Sequence, residues 1–195
     1  MTSRKLVGAA LAALASFAVL TGCASSDTAS GGHDMSTMKA PDPARAGHNQ
    51  ADVTFAQGMI PHHEQALTMA KLVDGRTRNA KVVDLAARIK QAQDPEIQQL
   101  TGLLKGWGVA PSGGHSAHGS MSGMMTEDDL AELGKAKDAA FDKQWLEMMV
   151  KHHEGALAMA KTALQQGSDA EVKALAQKVI DGQQAEITEM RALLS

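Results

Sequence analysis

The chain has 195 residues, of which 44% are apolar but only 3% aromatic, with no tyrosine. An apolar share built from Ala, Leu, Val and Met suits helices and argues against a sandwich of aromatic and β-branched strands. A net charge of -3 gives neither a nucleic-acid footprint nor a polybasic membrane patch, whereas 8 His and 12 Met need a chemical explanation.

The N-terminal stretch reads as an address. Arg4 and Lys5 precede an apolar run from Leu6 to Leu20, followed by Leu20-Thr21-Gly22-Cys23. A short apolar run behind positive charge is a secretory signal, and it is shorter than the ~20 residues of a spanning helix. The four residues at its end look like a bacterial lipobox, so residues 1–22 are expected to be removed and Cys23 lipidated. A plain signal peptide with a chance cysteine is the alternative. The mature domain would then hold no thiol and work outside the cytoplasmic membrane, lipid-anchored at the cell surface or in the periplasm, where thiols oxidise. Soft ligands there must come from Met and His.

Residues 23–50 are rich in Ser, Gly, Ala and Pro and lack periodicity, which predicts a flexible tether. They contain His33, Met35, Met38 and His48. Helical periodicity begins near Asp52 and runs to about Val73, with Phe55, Met59, Ala66, Ala70 and Val73 as one apolar stripe and Pro61 as an expected kink or break. Gly75 fits the cap that follows. A second helix is predicted over about 77–104, burying Val82, Leu85, Ala86, Ile89, Ala92, Ile97, Leu100 and Leu104, with Asp94-Pro95 as a kink or a restart. Residues 106–125 form a Gly/Ser-rich linker. Thr126 then caps a short helix to about Lys135, a long helix spans about 138–166, and Ser168-Asp169-Ala170-Glu171 reads as a capping box for the last.

One stretch occurs twice. Met59-Ile60-Pro61-His62-His63-Glu64-Gln65-Ala66-Leu67-Thr68-Met69-Ala70-Lys71 returns ninety positions later, from Met149 to Lys161, with nine of thirteen residues identical. The offset also pairs Asp52 with Asp142, Leu85 with Leu175, Gln93 with Gln183, Glu96-Ile97 with Glu186-Ile187 and Leu103-Leu104 with Leu193-Leu194. The expected fold is therefore all-α: residues 51–195 as a four-helix bundle of two repeated hairpins. An up-down-up-down order would set the two motif-bearing helices parallel and diagonal, with both His-His doublets at similar height.

Packing asks for apolar residues at intervals of three and four, not for paired histidines flanked by methionines. With ~100° of turn per residue, His62 and His63 fall on the two shoulders of the apolar stripe, at the boundary between core and water. Met59 neighbours His63, and Met69 lies below His62; the repeat supplies Met149, His152, His153 and Met159, with Met148 added. Neutral thioethers with imidazoles suit Cu(I), or Ag(I), far better than Mg or Ca, with Cu(II) an alternative at the histidines. Core filling is the bland alternative for the methionines. In the linker, His115, His118, Met121 and Met124 recur every three residues and Met125 follows, a candidate secondary metal-scavenging array together with His33, Met35 and Met38.

A di-iron centre would need Glu three residues before a ligand His, which neither doublet has, and Glu64 and Glu154 point toward solvent. No phosphate loop, GxSxG elbow or free Cys nucleophile is present, so no enzyme is expected.

The doubled motif, with Phe141-Asp142 upstream and Gln183-x-x-Glu186-Ile187 downstream, resembles the bacterial family called domain of unknown function 305 over roughly residues 48–194. The resemblance implies a ferritin-like helical bundle in exported proteins, with CopM-like members that bind copper and support copper resistance. Carried over by position, it points to Met59, His62, His63, Met69, Met149, His152, His153 and Met159. Two departures, Pro95 and Leu100 where the repeat has Met190, imply that the second hairpin holds metal better. The expected function is a membrane-tethered, non-catalytic protein that binds copper, with a metal-exchange protein as partner. A purely structural or interaction module, and a metal-dependent redox enzyme, are the competing readings.

Overall fold

The computed structural model describes residues 47–111 and 122–195. Five helices follow one another: α1 (Gln50–Lys71), α2 (Ala80–Trp107), α3 (Glu127–Lys135), α4 (Asp138–Gln166) and α5 (Ala170–Leu194). The signal and lipobox with Cys23, the tether residues His33, Met35 and Met38, and the linker residues His115, His118 and Met121 lie outside the described residues.

Local chemistry sets the helix ends. Asn49 and Asp52 form a reciprocal capping box at α1, and Thr126 with Asp129 does the same at α3. Asn79 caps α2 and Asp169 caps α5. Ser168 is thus not the cap expected from the sequence; its backbone N–H and hydroxyl reach Asp52 instead. The last residues of the tether are also fixed, since the Asn49 amide donates to the Gln166 carbonyl and His48 stacks on Trp107. Neither proline interrupts its helix: α1 continues through Pro61 and α2 through Pro95. In α2 the buried series Ile89, Gln93, Glu96, Leu100 keeps its helical phase across Pro95, so packing on both sides outweighs the lost backbone bond. Ala92 turns outward and Ile97 is only half-buried; Gln93 and Glu96 take the inward places.

Each half is an antiparallel hairpin, α1 with α2 and α4 with α5, as the repeat predicts. The order of the halves differs from the expected one. Ser168 and Asp169, beyond the end of α4, donate to Asp52 at the start of α1, while Trp145 near the start of α4 donates to the Met69 carbonyl near the end of α1. The motif-bearing helices are therefore antiparallel and directly packed, not parallel and diagonal. Arg88–Glu189 and Lys178–Glu96 ion pairs run α2 antiparallel to α5 as well. The chain goes up, down, down and up, with the α2–α4 connection as a single long crossover, the topology of ferritin-like bundles. A long linker leaves this choice to tertiary packing, which buries the motif faces of α1 and α4 against each other.

The halves are exchanged about a near two-fold relation. Asp52 of the first hairpin contacts the α4–α5 turn, and its counterpart Asp142 accepts from Asn79 in the α1–α2 turn. The core falls into two clusters. One holds Met69, Met149, Trp145, Phe141, Leu85 and Met190, and the other Met59, Phe55, Leu100, Ala156, Ala160 and Leu175. The bundle's polar layer lies where α1 and α4 cross.

Candidate metal centre

Four histidines occupy that crossing. His62, His63, His152 and His153 are each 0% exposed. They are therefore not on the shoulders between core and water; direct packing of α1 on α4, with α2 and α5 behind, encloses both shoulders. The His62 and His152 rings lie with centroids 3.8 Å apart at an interplanar angle of 38°. The two doublets thus meet in one buried cluster rather than lying apart in separate hairpins.

The doublets divide by helical phase. His63 Nε2 lies 2.8 Å from Glu96 Oε2, and His153 Nε2 lies 2.7 Å from Glu186 Oε2. A carboxylate only accepts, so these Nε2 nitrogens carry a proton, and Nδ1 of each ring faces away from the carboxylate. Both Nδ1 atoms, and both nitrogens of His62 and of His152, are buried without a hydrogen-bond partner. An unsatisfied buried polar atom costs about 1–3 kcal/mol, and a cluster of them in a helical core is a functional signature.

Electrostatics keeps the inner pair neutral. Burial, followed by the neighbouring His63 and His153, pushes His62 down to about 3, with the Ser122 carbonyl opposing. Burial, then His62, His153 and His63, lowers His152 well below its ordinary value. Neutral imidazole is the form that ligates metal. Burial would raise the carboxyl of Glu96, but its bond to His63 and the Lys178 ammonium hold it below its ordinary value. Lys178 gives Glu96 a cation 3.3 Å away; its counterpart ninety residues earlier, Arg88, is bonded to Asp84 and Glu189.

The methionines frame this layer. Met69 and Met149 lie in one core cluster, with Met59 in the other and half-buried Met159 packed against it, so each side of the histidine layer carries one motif methionine from each repeat. Met148 is half-buried at the edge of the first cluster. Met124 and Met125, expected in a free-standing linker array, are buried at 7% and 3% exposure, and Met125 joins the core. Glu64 and Glu154 are exposed, as their helical phase requires.

Among the described residues, no three His, Cys, Asp or Glu side chains converge into a group that could hold a metal. A hard-ion cage is therefore not built. Imidazole nitrogens and thioethers are the donor types in and beside this layer, and as a class they form a soft set suited to Cu(I) or Ag(I). Sequence reasoning placed Glu96 and Glu186 in the repeat but missed their role. The signal was available: each lies 33 residues after the second histidine of its doublet.

Comparison with known proteins agrees with this fold. The family called domain of unknown function (DUF305) matches residues 52–194. A mimivirus protein of Acanthamoeba polyphaga mimivirus, L153, is 42% identical over 53 residues, 27% of this chain and 35% of that protein, so the chain matches about a third of its length. A presumed secreted DUF305 protein from Streptomyces coelicolor superposes with a TM-score of 0.69 at 31% identity, covering 74% of this chain and 91% of that one. A DUF305 fragment from Deinococcus radiodurans gives 0.70 at 32% identity, covering 75% and 97%. CopM in its Cu(I)-bound form gives 0.64 at 27% identity, covering 73% and 94%, and CopM is also known in Cu(II)- and Ag-bound forms.

Proposed function

We propose that this protein, which belongs to the DUF305 family, binds a soft metal ion, Cu(I) or Ag(I), at the apposed His62–His152 pair for sequestration or hand-over. One observation carries the reading: two contacting imidazoles, fully buried, lie between two pairs of methionines with no well-formed hydrogen bond on any of their four nitrogens, the Ser122 and His62 carbonyls making only weak approaches. A core without ligand gains nothing from that arrangement. Similarity to a protein solved with Cu(I), Cu(II) and Ag supports the choice of ion. His63 and His153 are turned toward carboxylates in the manner of ligand histidines oriented from behind, so Glu96 and Glu186 act as orienting groups.

The role is storage or delivery, not catalysis: a site whose rings are fully enclosed among the described residues suits cargo. We place the protein outside the cytoplasmic membrane, anchored through Cys23, with a metal-exchange protein as its partner. The presumed secreted neighbour supports export, and the sequence of residues 1–23 supports the anchor.

Anaerobic Cu(I) titration against a competing chelator tests the site. The wild type is expected to compete for the metal, and a His62→Ala/His63→Ala/His152→Ala/His153→Ala variant to lose that competition while keeping its helical circular dichroism. Equal, weak binding by both proteins overturns the reading.

A further inference from the structure

We propose that residues 122–125 form a latched strap over the histidine pair, with Gln65 as the latch, and that metal reaches and leaves His62 and His152 by release of this strap. The inference rests on the reading of that pair as a metal site.

Some element must move, because both rings are fully buried. The helices are poor candidates. Between α1 and α4 lie Ala56, Ala66, Ala156 and Ala160, all 0% exposed, and parting them would open both core clusters. The strap is different. It is irregular backbone lying directly on α4 at the level of the histidines, with the Ser122 carbonyl facing His62.

Two glycines permit that closeness. A Cβ on Gly155 would stand 2.0 Å from the Ser122 oxygen and 2.9 Å from the Gly123 Cα. Gly123 itself has φ +84°, and a Cβ there would meet the Lys151 and His152 carbonyl oxygens at 2.7 and 2.9 Å. On the other flank, Gln65 holds the strap with both ends of its amide. Its Nε2 donates to the Met125 carbonyl at 2.8 Å, and the Met125 N–H donates to its Oε1 at 2.7 Å. Two neutral hydrogen bonds and the Met124 and Met125 side chains hold the strap, far less than the packed helix faces, so it can open locally without unfolding the bundle.

The repeat supports the assignment independently. Gln65 and Gly155 are counterparts ninety positions apart within an otherwise near-identical motif. One strap crosses a two-fold arrangement, so it must meet different residues on its two flanks. The motif departs from its symmetry at this position, with a latch on α1 and a vacant Cβ position on α4.

The test uses Gln65→Ala, which removes the latch, and Gly155→Ala, which displaces the strap while keeping a helix former in α4. Ag(I) capture and its release to a competing chelator are followed by stopped flow. Both variants are expected to accelerate capture and release by about tenfold or more, as loss of two hydrogen bonds allows, with affinity changed by less than about threefold. In metal-free protein, carbethoxylation of His62 and His152, mapped by peptide analysis, should accelerate by a similar factor. Unchanged rates in both folded variants overturn the strap. If the wild type takes up no Ag(I) but the variants still expose the histidines faster, the strap stands and the metal reading fails.

Discussion

His62 and His152 stand ninety residues apart in sequence with ring centroids 3.8 Å apart in space, tilted to one another, with no well-formed hydrogen bond on any of their four nitrogens. In a metal-free core this contact is a cost. His62→Leu, similar in volume, should therefore leave metal-free stability unchanged or raise it by about 1 kcal/mol while abolishing Cu(I) competition. Urea unfolding alongside the chelator titration checks both halves. A loss of several kcal/mol would show that the ring is held by a bond the geometry lacks.

The same pair sets a pH dependence. His62 is held at about 3 in the fold against 6.5 for the free side chain. Below pH 6.5 the unfolded chain binds protons that the native ring refuses, so this contribution is present above 6.5 and lost as pH falls toward 3. His152, lowered for the same reason, adds to it in the same direction. A His62→Leu/His152→Leu variant should show a flatter decline of stability from pH 6.5 downward, measured by thermal melts across that range.

The hairpins were legible because their causes are local. The Thr126 cap and stripes such as Phe55–Met59–Ala66–Ala70 lie within one or two turns of what they determine, while the caps at Asn49, Asn79 and Asp169 emerge only in the fold. The relation of one hairpin to the other was not local. Helical phase gives the faces of His62 and His63 relative to their own stripe, but not which helix covers those faces. Both were placed at the solvent boundary, and the packing of α1 on α4 buried them. Met124 and Met125 were misread for a related reason: composition marks residues 106–125 as a spacer, whereas the Gln65 amide ties Met125 to α1.

Metal binding and folding should be coupled. Ligand that binds the native pair and not the unfolded chain stabilises by about 2.7 kcal/mol at roughly a hundredfold excess over Kd. For a domain of this size that corresponds to an upward shift in Tm of about 5–10 °C. Ag(I) is the convenient probe because it is not redox-cycled. The shift should vanish in His62→Leu and persist in a Glu64→Gln control, since Glu64 is exposed and faces away from the centre.

Glu96 and Glu186 orient the outer histidines, at 2.8 and 2.7 Å. Glu96→Gln or Glu186→Gln keeps the shape but weakens the hold on the proton at Nε2. Each should lower metal affinity by about 10–100-fold, as loss of such a partner does elsewhere. Lys178, bound to Glu96 and without a counterpart at Glu186, breaks the symmetry. Lys178→Met should therefore alter affinity less than Glu96→Gln, and a chelator titration of the three variants orders them. Equal affinity for all three and the wild type would remove the carboxylates from the centre.

Asp52 supplies the last prediction, one of stability alone. Its carboxylate is 0% exposed and accepts the N–H groups of Asn49, Ser168 and Asp169 at 2.8, 3.0 and 3.2 Å. Burial raises its pKa and these donors lower it, leaving it below the ordinary 3.8. Gly167 makes the approach possible, since a Cβ there would come within 2.4 Å of Oδ1. Asp52→Ala removes the acceptor that ties the start of α1 to the α4–α5 turn and should cost about 2–3 kcal/mol in urea unfolding. A depressed carboxyl contributes stability above its unfolded value and loses it as pH falls through the folded one, so the penalty should shrink below pH 3.8. Asp142, the counterpart, is only half-buried and accepts one bond, from Asn79. Asp142→Ala should therefore cost less than half as much, and equal costs would mean that burial at Asp52 adds nothing.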